Sequence, residues 1–246
     1  MGVVYLDESL LINEKDIYYN KDKFDSGEIN LCFITGLSGS GKSTMSREMT
    51  KQKKIERYEL DDLMFIKDHF TMNQLKQYGD LIYSFFNGVG KKYYLSYEEV
   101  NEKSLSGEEY EEAMLKDFVH YAMKYADSYK NRKYVVEGVW IFCCDNNGHE
   151  FFRPSEFDDY AFYIKGTSLL ISKIRAANRD KKDAGGKFKQ LYAFVRSMVR
   201  VKNWKFYYSS EQELNIFRNY FKNKMKGNKE NYAIPNTRYQ QKKNNE

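Results

Sequence analysis

Between Leu31 and Thr44 the chain passes from four apolar residues into a run of glycine and serine, and then into a helix-forming stretch. Leu31 to Ile34 is short, β-prone and stopped by Gly36, which predicts a buried strand. Gly36, Leu37, Ser38, Gly39, Ser40, Gly41, Lys42 and Ser43 then fill every position of the phosphate-binding pattern G-x-x-x-x-G-K-S, and Thr44 follows directly. The glycines let the backbone turn tightly, so that successive N–H groups point inward at a phosphate. In such a loop Lys42 reaches the β- and γ-phosphates and the Ser43 hydroxyl takes a place on Mg2+. A helix is predicted from about Lys42, and its N-terminal dipole favours the same anion. ATP and Mg2+ are the expected cofactors.

The rest of the chain bounds what this loop can belong to. With 246 residues, one sizeable domain is expected, and 41% hydrophobic with 17% aromatic content excludes general disorder. Cys32, Cys143 and Cys144 form no disulfide framework and no metal-ligand spacing; Cys32 falls in the core strand and reads as a buried, reduced thiol. Met1 to Asp7 lacks the basic start and apolar run of a signal peptide, and no apolar stretch has the length of a membrane span. A soluble cytoplasmic protein with no membrane partner is expected. Charge is uneven: residues 1–164 hold 20 Lys and Arg against 29 Asp and Glu, whereas residues 165–246 hold 20 against 6. A basic C-terminal third suits an anionic substrate or nucleic acid, and equally suits solvated helix faces.

Taken in order, Ile17 to Tyr19 predicts an added strand or hairpin before the core strand, with Phe24 to Gly27 as a turn. Ile55 to Leu60 predicts a second strand that ends in Asp61 and Asp62. A helical insertion is expected over about residues 63–133. In it Phe70 to Phe86 has helical spacing, Ser106 and Glu109 read as a capping box, and Tyr110, Met114, Phe118, Tyr121 and Tyr125 form a packing stripe. Phe85, Phe86, Tyr93 and Tyr94 read as packing of the insertion. Tyr134 to Val136 and Tyr160 to Ile164 predict two further strands, the first running into Glu137 and Gly138. Thr167 and Ser168 can cap a helix over Leu169 to Arg179, with Arg175 and Arg179 four residues apart on one face. A helix over Lys189 to Lys202 would turn Leu191, Val195, Met198 and Val199 inward, and Ser210 with Glu213 would cap another through Phe221. A single domain over 1–225 and a flexible polar tail over 226–246 are expected.

Strands alternating with helices imply a mainly parallel sheet with helices on both faces, and ligands in such sheets sit beyond the carboxyl ends of the strands. The glycine loop, the Asp61 and Asp62 pair, and Glu137 all fall there. That gathers acid near the γ-phosphate, as phosphoryl transfer by positioning and charge neutralisation requires. Each acid also has a plainer reading. The aspartates could be a helix cap, Glu137 a solvent-facing strand end, and Arg175 with Arg179 an exposed stripe.

The loop followed by an acidic pair after the second strand resembles the P-loop kinases of small molecules, among them adenylylsulfate, gluconate, nucleoside and nucleotide, and zeta-toxin sugar-nucleotide kinases. The resemblance covers about Leu31 to Asp180. It implies an α/β fold of the P-loop NTPase kind, a three-layer sandwich with a mainly parallel central sheet and a helical insertion. It also implies that Asp61, or its neighbour Asp62, orients or deprotonates the acceptor hydroxyl. By the same resemblance Glu137 keeps a Mg2+-water or substrate contact, and Arg175 and Arg179 belong to a lid helix over the phosphates. The sequence departs from those kinases in three ways. The insertion is longer and occupies the usual acceptor region, no substrate signature of one member is complete, and only Trp204 to Tyr208 offers itself as the strand after the lid. The expected activity is an ATP- and Mg2+-dependent phosphotransferase acting on a small polar metabolite or nucleotide. The alternatives are a polynucleotide 5′-hydroxyl kinase and a non-catalytic nucleotide switch that docks a partner protein through the insertion.

Overall fold

Along Leu31–Thr35 (β2) successive side chains serve two separate cores, and all five are buried. The computed structural model describes residues 14–51, 54–69, 71, 74–93, 107–139, 141, 152–182, 187–199 and 201–227. Within them β2 joins Ile17–Tyr19 (β1), Ile55–Glu59 (β3), Lys133–Glu137 (β4) and Ala161–Ile164 (β5) in one sheet of order β1-β5-β2-β4-β3. The pairs β5/β2, β2/β4 and β4/β3 are parallel, and β1 runs antiparallel to β5. A strand with parallel neighbours on both sides is covered on both faces, which is why β2 reads as an unbroken apolar run.

One face carries Leu31, Phe33, Tyr134, Val136, Phe162 and Ile164 into the larger core. The other carries Cys32, Ile34, Val135, Ala161 and Tyr163, covered by Phe24 of Lys21–Ser26 (α1) and by Met45 and Met49 of Lys42–Lys51 (α2). The molecule is thus α/β, with a mostly parallel sheet and helices on both faces, compatible with a three-layer sandwich.

The insertion is helical where it is described: Leu60–His69 (α3), Asp80–Asn87 (α4) and Gly107–Ser128 (α5). The helix expected over Phe70 to Phe86 is shorter, because Gly79 and a 3-10 turn at Leu75–Tyr78 precede α4. Tyr110, Met114, Phe118 and Tyr125 are buried as their spacing predicts. Phe85 sits among Phe86, Phe118 and Tyr121, with ring centres 5.1, 5.2 and 5.6 Å away, so these rings pack the insertion. Tyr94, Ser106 of the expected capping box, Cys143 and Cys144 lie outside the described residues, and Glu109 is in the first turn of α5.

After β5 come Leu169–Lys182 (α6), Lys187–Val199 (α7) and Val201–Met225 (α8). The Ser168 hydroxyl accepts from the Ile171 N–H at 3.2 Å, the predicted cap of α6. Three expectations are corrected here. Trp204 to Tyr208 lies in α8, and the fifth place in the sheet is taken by β1, antiparallel and from the other end of the chain. Ser210 and Glu213 are buried inside α8 and begin no helix. Leu191 and Val195 face outward with Phe188 and Tyr192, because α7 meets α6 through the side bearing Ser197, whose hydroxyl accepts from Lys173 at 3.4 Å. A helix with two apolar stripes leaves sequence reading no means of telling which one is covered. Among the described residues no helix is long and apolar enough to cross a membrane. From residue 228 onward the expected tail lies outside the described residues.

Candidate functional site

Beyond the carboxyl end of β2 the chain turns through Gly36 to Gly41 and enters α2 at Lys42. The turn is closed by the Ser40 N–H on the Leu37 carbonyl at 3.0 Å, and Met45 N–H on the Gly41 carbonyl at 3.1 Å begins the helix. Two of its glycines are required for different reasons. Gly41 has φ +101, yet a Cβ there would meet nothing nearer than Lys165 Cε at 4.0 Å, so the backbone conformation alone demands glycine. Gly39 has φ +82, and a Cβ would lie 2.4 Å from the Ser172 carbonyl oxygen, so α6 is seated directly on the loop.

The seating brings the two predicted arginines in. Arg175 Nη1 lies 3.5 Å from the Ser40 carbonyl oxygen as donor, and Arg179 Nη2 donates to the Ser38 hydroxyl at 3.2 Å. They are on one face, as their spacing predicts, and that face meets the loop. Inside the turn Lys42 Nζ donates to the Leu37 carbonyl at 3.2 Å. Burial pushes the Lys42 ammonium below its ordinary value, against the pull of Asp61, Glu137 and Glu59; Arg179 pushes in the same direction as burial.

Next to Lys42, the Ser43 hydroxyl donates to Glu59 Oε1 at 3.4 Å. Glu59 is the last residue of β3 and stands in register beside Glu137, the last residue of β4. Glu137 is 1% exposed, so the solvent-facing reading of this residue is excluded, and its Oε2 is buried with no hydrogen-bond partner. Burial raises its carboxyl above the ordinary range, opposed by nearby Ser46 and Arg57. The Arg57 guanidinium spans the pair. Nη2 donates to Glu59 Oε2 at 2.5 Å and also to Glu137 Oε1, while Nε donates to Ser46 Oγ of α2 at 2.7 Å.

Asp61 and Asp62 are exposed on the first turn of α3, because β3 stops at Glu59 and the helix begins at once. They are therefore helix residues and not a strand end. The two carboxylates act on different neighbours. Asp61 is the foremost charge holding Lys42 protonated, whereas burial, with Glu59 next, raises Asp62. Asp61 thus belongs electrostatically to the glycine loop, and Asp62 to the Arg57 and Glu59 side.

Arg57, Glu59 and Lys165 carry parts of this site that the sequence reading passed over. The signal for the first two was the alternation Ile55, Arg57, Glu59, which puts a cation and an acid on the strand face that α2 covers. Lys165 follows β5; its Nζ is paired with Asp16 at 2.8 Å.

Oxygen donors from Ser43, Glu59 and the unpartnered Glu137 oxygen suit a small hard cation such as Mg2+. Among the described residues no group of three or more His, Cys, Asp or Glu side chains is placed to hold a metal ion. Two carboxylates and a hydroxyl fit a cation whose remaining ligands come from water and a phosphate.

The chain matches no protein-family model, and no curated protein is similar to it at a significant level.

Proposed function

We propose that the chain is an ATP- and Mg2+-dependent phosphotransferase of the P-loop NTPase kind, acting on a hydroxyl or phosphate of a small polar metabolite or nucleotide in the cytoplasm. The observation that carries this is the convergence on one turn of Lys42, Ser43 with Glu59, and the two arginines of α6. The glycine-loop motif needs a strand before it and a helix after it, and β2 and α2 supply both. A free, buried Cys32 fits the reducing setting.

In this reading the loop N–H groups and Lys42 bind the β- and γ-phosphates, and the α2 N-terminus adds its dipole. ATP with Mg2+ supplies the transferable phosphoryl group and charge neutralisation. Ser43, Glu59 and Glu137 hold the cation side. Asp61 orients the acceptor hydroxyl and takes its proton, and Arg175 and Arg179 meet the charge that develops on the transferred group. Asp62, the adjacent carboxylate, is the alternative candidate for that role. In this reading the insertion, α3 to α5, encloses the acceptor.

A second reading is a nucleotide-dependent module that docks a partner. The observation favouring it is the outward stripe of α7, with Phe188 91% and Tyr192 67% exposed.

One screen separates the two. The chain is incubated with γ-labelled ATP and a metabolite pool, beside an Asp61→Asn variant. Label transferred by the parent and lost in the variant supports the phosphotransferase. ATP bound with no transfer to any acceptor supports the module.

A further inference from the structure

Two carboxylates side by side near a hydroxyl would attract a divalent cation from solution, yet here a positive group already lies between them. Arg57 Nη2 donates to Glu59 and to Glu137 together, and those two residues stand opposite each other on neighbouring strands. Glu59 reaches the Ser43 hydroxyl with its other oxygen, and Glu137 keeps one buried oxygen that accepts nothing. A 1%-exposed carboxylate with a vacant lone pair is costly, and it is retained where a ligand completes it.

We propose that Arg57 is a resident counter-cation that keeps free divalent ions out of the Glu59 and Glu137 site, and that a divalent ion enters only together with nucleotide phosphate. The nucleotide half of this rests on the phosphotransferase reading; the cation exchange does not. The geometry supplies the exchange. The guanidinium is anchored by Nε on Ser46 Oγ at 2.7 Å, so only Nη2 has to leave the carboxylates. Glu59, Glu137 and Ser43 then present oxygen to the ion on the side where α2 begins. A dication alone would displace one positive charge and gain two carboxylates, while still lying beside Lys42. The same dication carrying an anionic diphosphate brings the negative charge that Lys42, Arg175 and Arg179 need. Charge balance, and not cavity size, makes metal binding conditional on nucleotide.

The test uses Mn2+ as probe, with free Mn2+ read by its paramagnetic resonance, on the full chain with and without ADP. The parent chain should bind Mn2+ weakly alone and tightly with ADP. Arg57→Met should bind Mn2+ alone about tenfold tighter or more, since a unit charge a few ångströms from the ion has been removed. Adding Glu59→Gln to that variant should return the affinity to the parent value. Where circular dichroism shows Arg57→Met unfolded, Arg57→Gln, which still donates to a carboxylate but carries no charge, takes its place with a gain of about threefold or more. Folded variants that bind Mn2+ alone no tighter than the parent overturn the proposal, as does a gain that survives Glu59→Gln. If ADP neither binds the parent nor tightens Mn2+, the phosphotransferase reading fails. The exchange is then still judged by the arms without nucleotide.

Discussion

Arg179 of α6 donates through Nη2 to the Ser38 hydroxyl at 3.2 Å, across 141 positions of sequence, and so the basic C-terminal third meets the acidic N-terminal two thirds at the glycine loop. In the phosphotransferase reading this arginine contacts charge that grows during transfer. Arg179→Ala should lower turnover by about 10²-fold and weaken ATP binding by no more than about threefold. Equal losses in titration calorimetry and in steady-state rate would reduce Arg179 to ground-state binding.

Lys42 donates to a loop carbonyl and is a member of neither apolar core. Lys42→Ala should abolish ATP-dependent turnover, while the melting temperature without ligand stays within about 2 °C of the parent, as for a substitution outside the core. A variant that keeps its full ATP-dependent thermal shift and its turnover would remove phosphate binding from this loop.

Asp61 and Asp62 are neighbours with different electrostatic partners, and that difference is testable. Asp61→Asn should cut acceptor phosphorylation by about 10²–10⁴ with ATP affinity kept, the usual contribution of a general base. Asp62→Asn should cost much less. If the larger loss follows Asp62→Asn, the role passes to that residue.

Gly39 is held by α6 as well as by its own φ. Gly39→Ala would force a Cβ to within 2.4 Å of the Ser172 oxygen at φ +82. A loss of about 1–3 kcal/mol is expected, or some 3–10 °C in melting temperature by calorimetry. An unchanged melt would mean that α6 is not seated on the loop in solution.

Asp16 ties β1 to the end of β5. Burial alone would raise its carboxyl, but bonds from Lys165, Tyr163 and the Gly166 N–H overcome this and hold it below the ordinary 3.8. A group depressed in the folded state adds stability above its unfolded pKa and loses it as pH falls through the folded value. The chain should therefore lose stability below about pH 4, and Asp16→Ala should flatten that part of the curve. At pH 7 the variant should melt about 2–4 °C lower, the loss expected for a part-exposed bonded pair. Identical acid-melting curves for parent and variant would refute the tether.

The sequence made β2, its loop and α2 legible because three kinds of signal coincide there, an apolar run, positive-φ glycines and a helix start. The strands β4 and β5 and the helix α6 were legible from periodicity and a Ser cap. Glu59 was not, since a glutamate at a strand end looks like solvent-facing polarity until the neighbouring strand and α2 close over it. Nor was the partner of β1, because strand order across 147 positions is set by tertiary packing and leaves no local mark. The outward stripe of α7 was missed for the related reason that amphipathicity names an apolar face but not its neighbour.

The antiparallel pairing of β1 with β5 has a consequence in time. Tyr163 and Asp16 meet across 147 residues, so β1, the earliest of the described strands to be made, has to wait for the latest of them. At about 5–20 residues per second of synthesis, β1 waits on the order of 7–30 s for β5 to emerge. For that interval it is a short strand with an open edge, and the charges of Glu14, Lys15 and Asp16 before it and of Lys21, Asp22 and Lys23 after it keep such an edge from pairing with another chain.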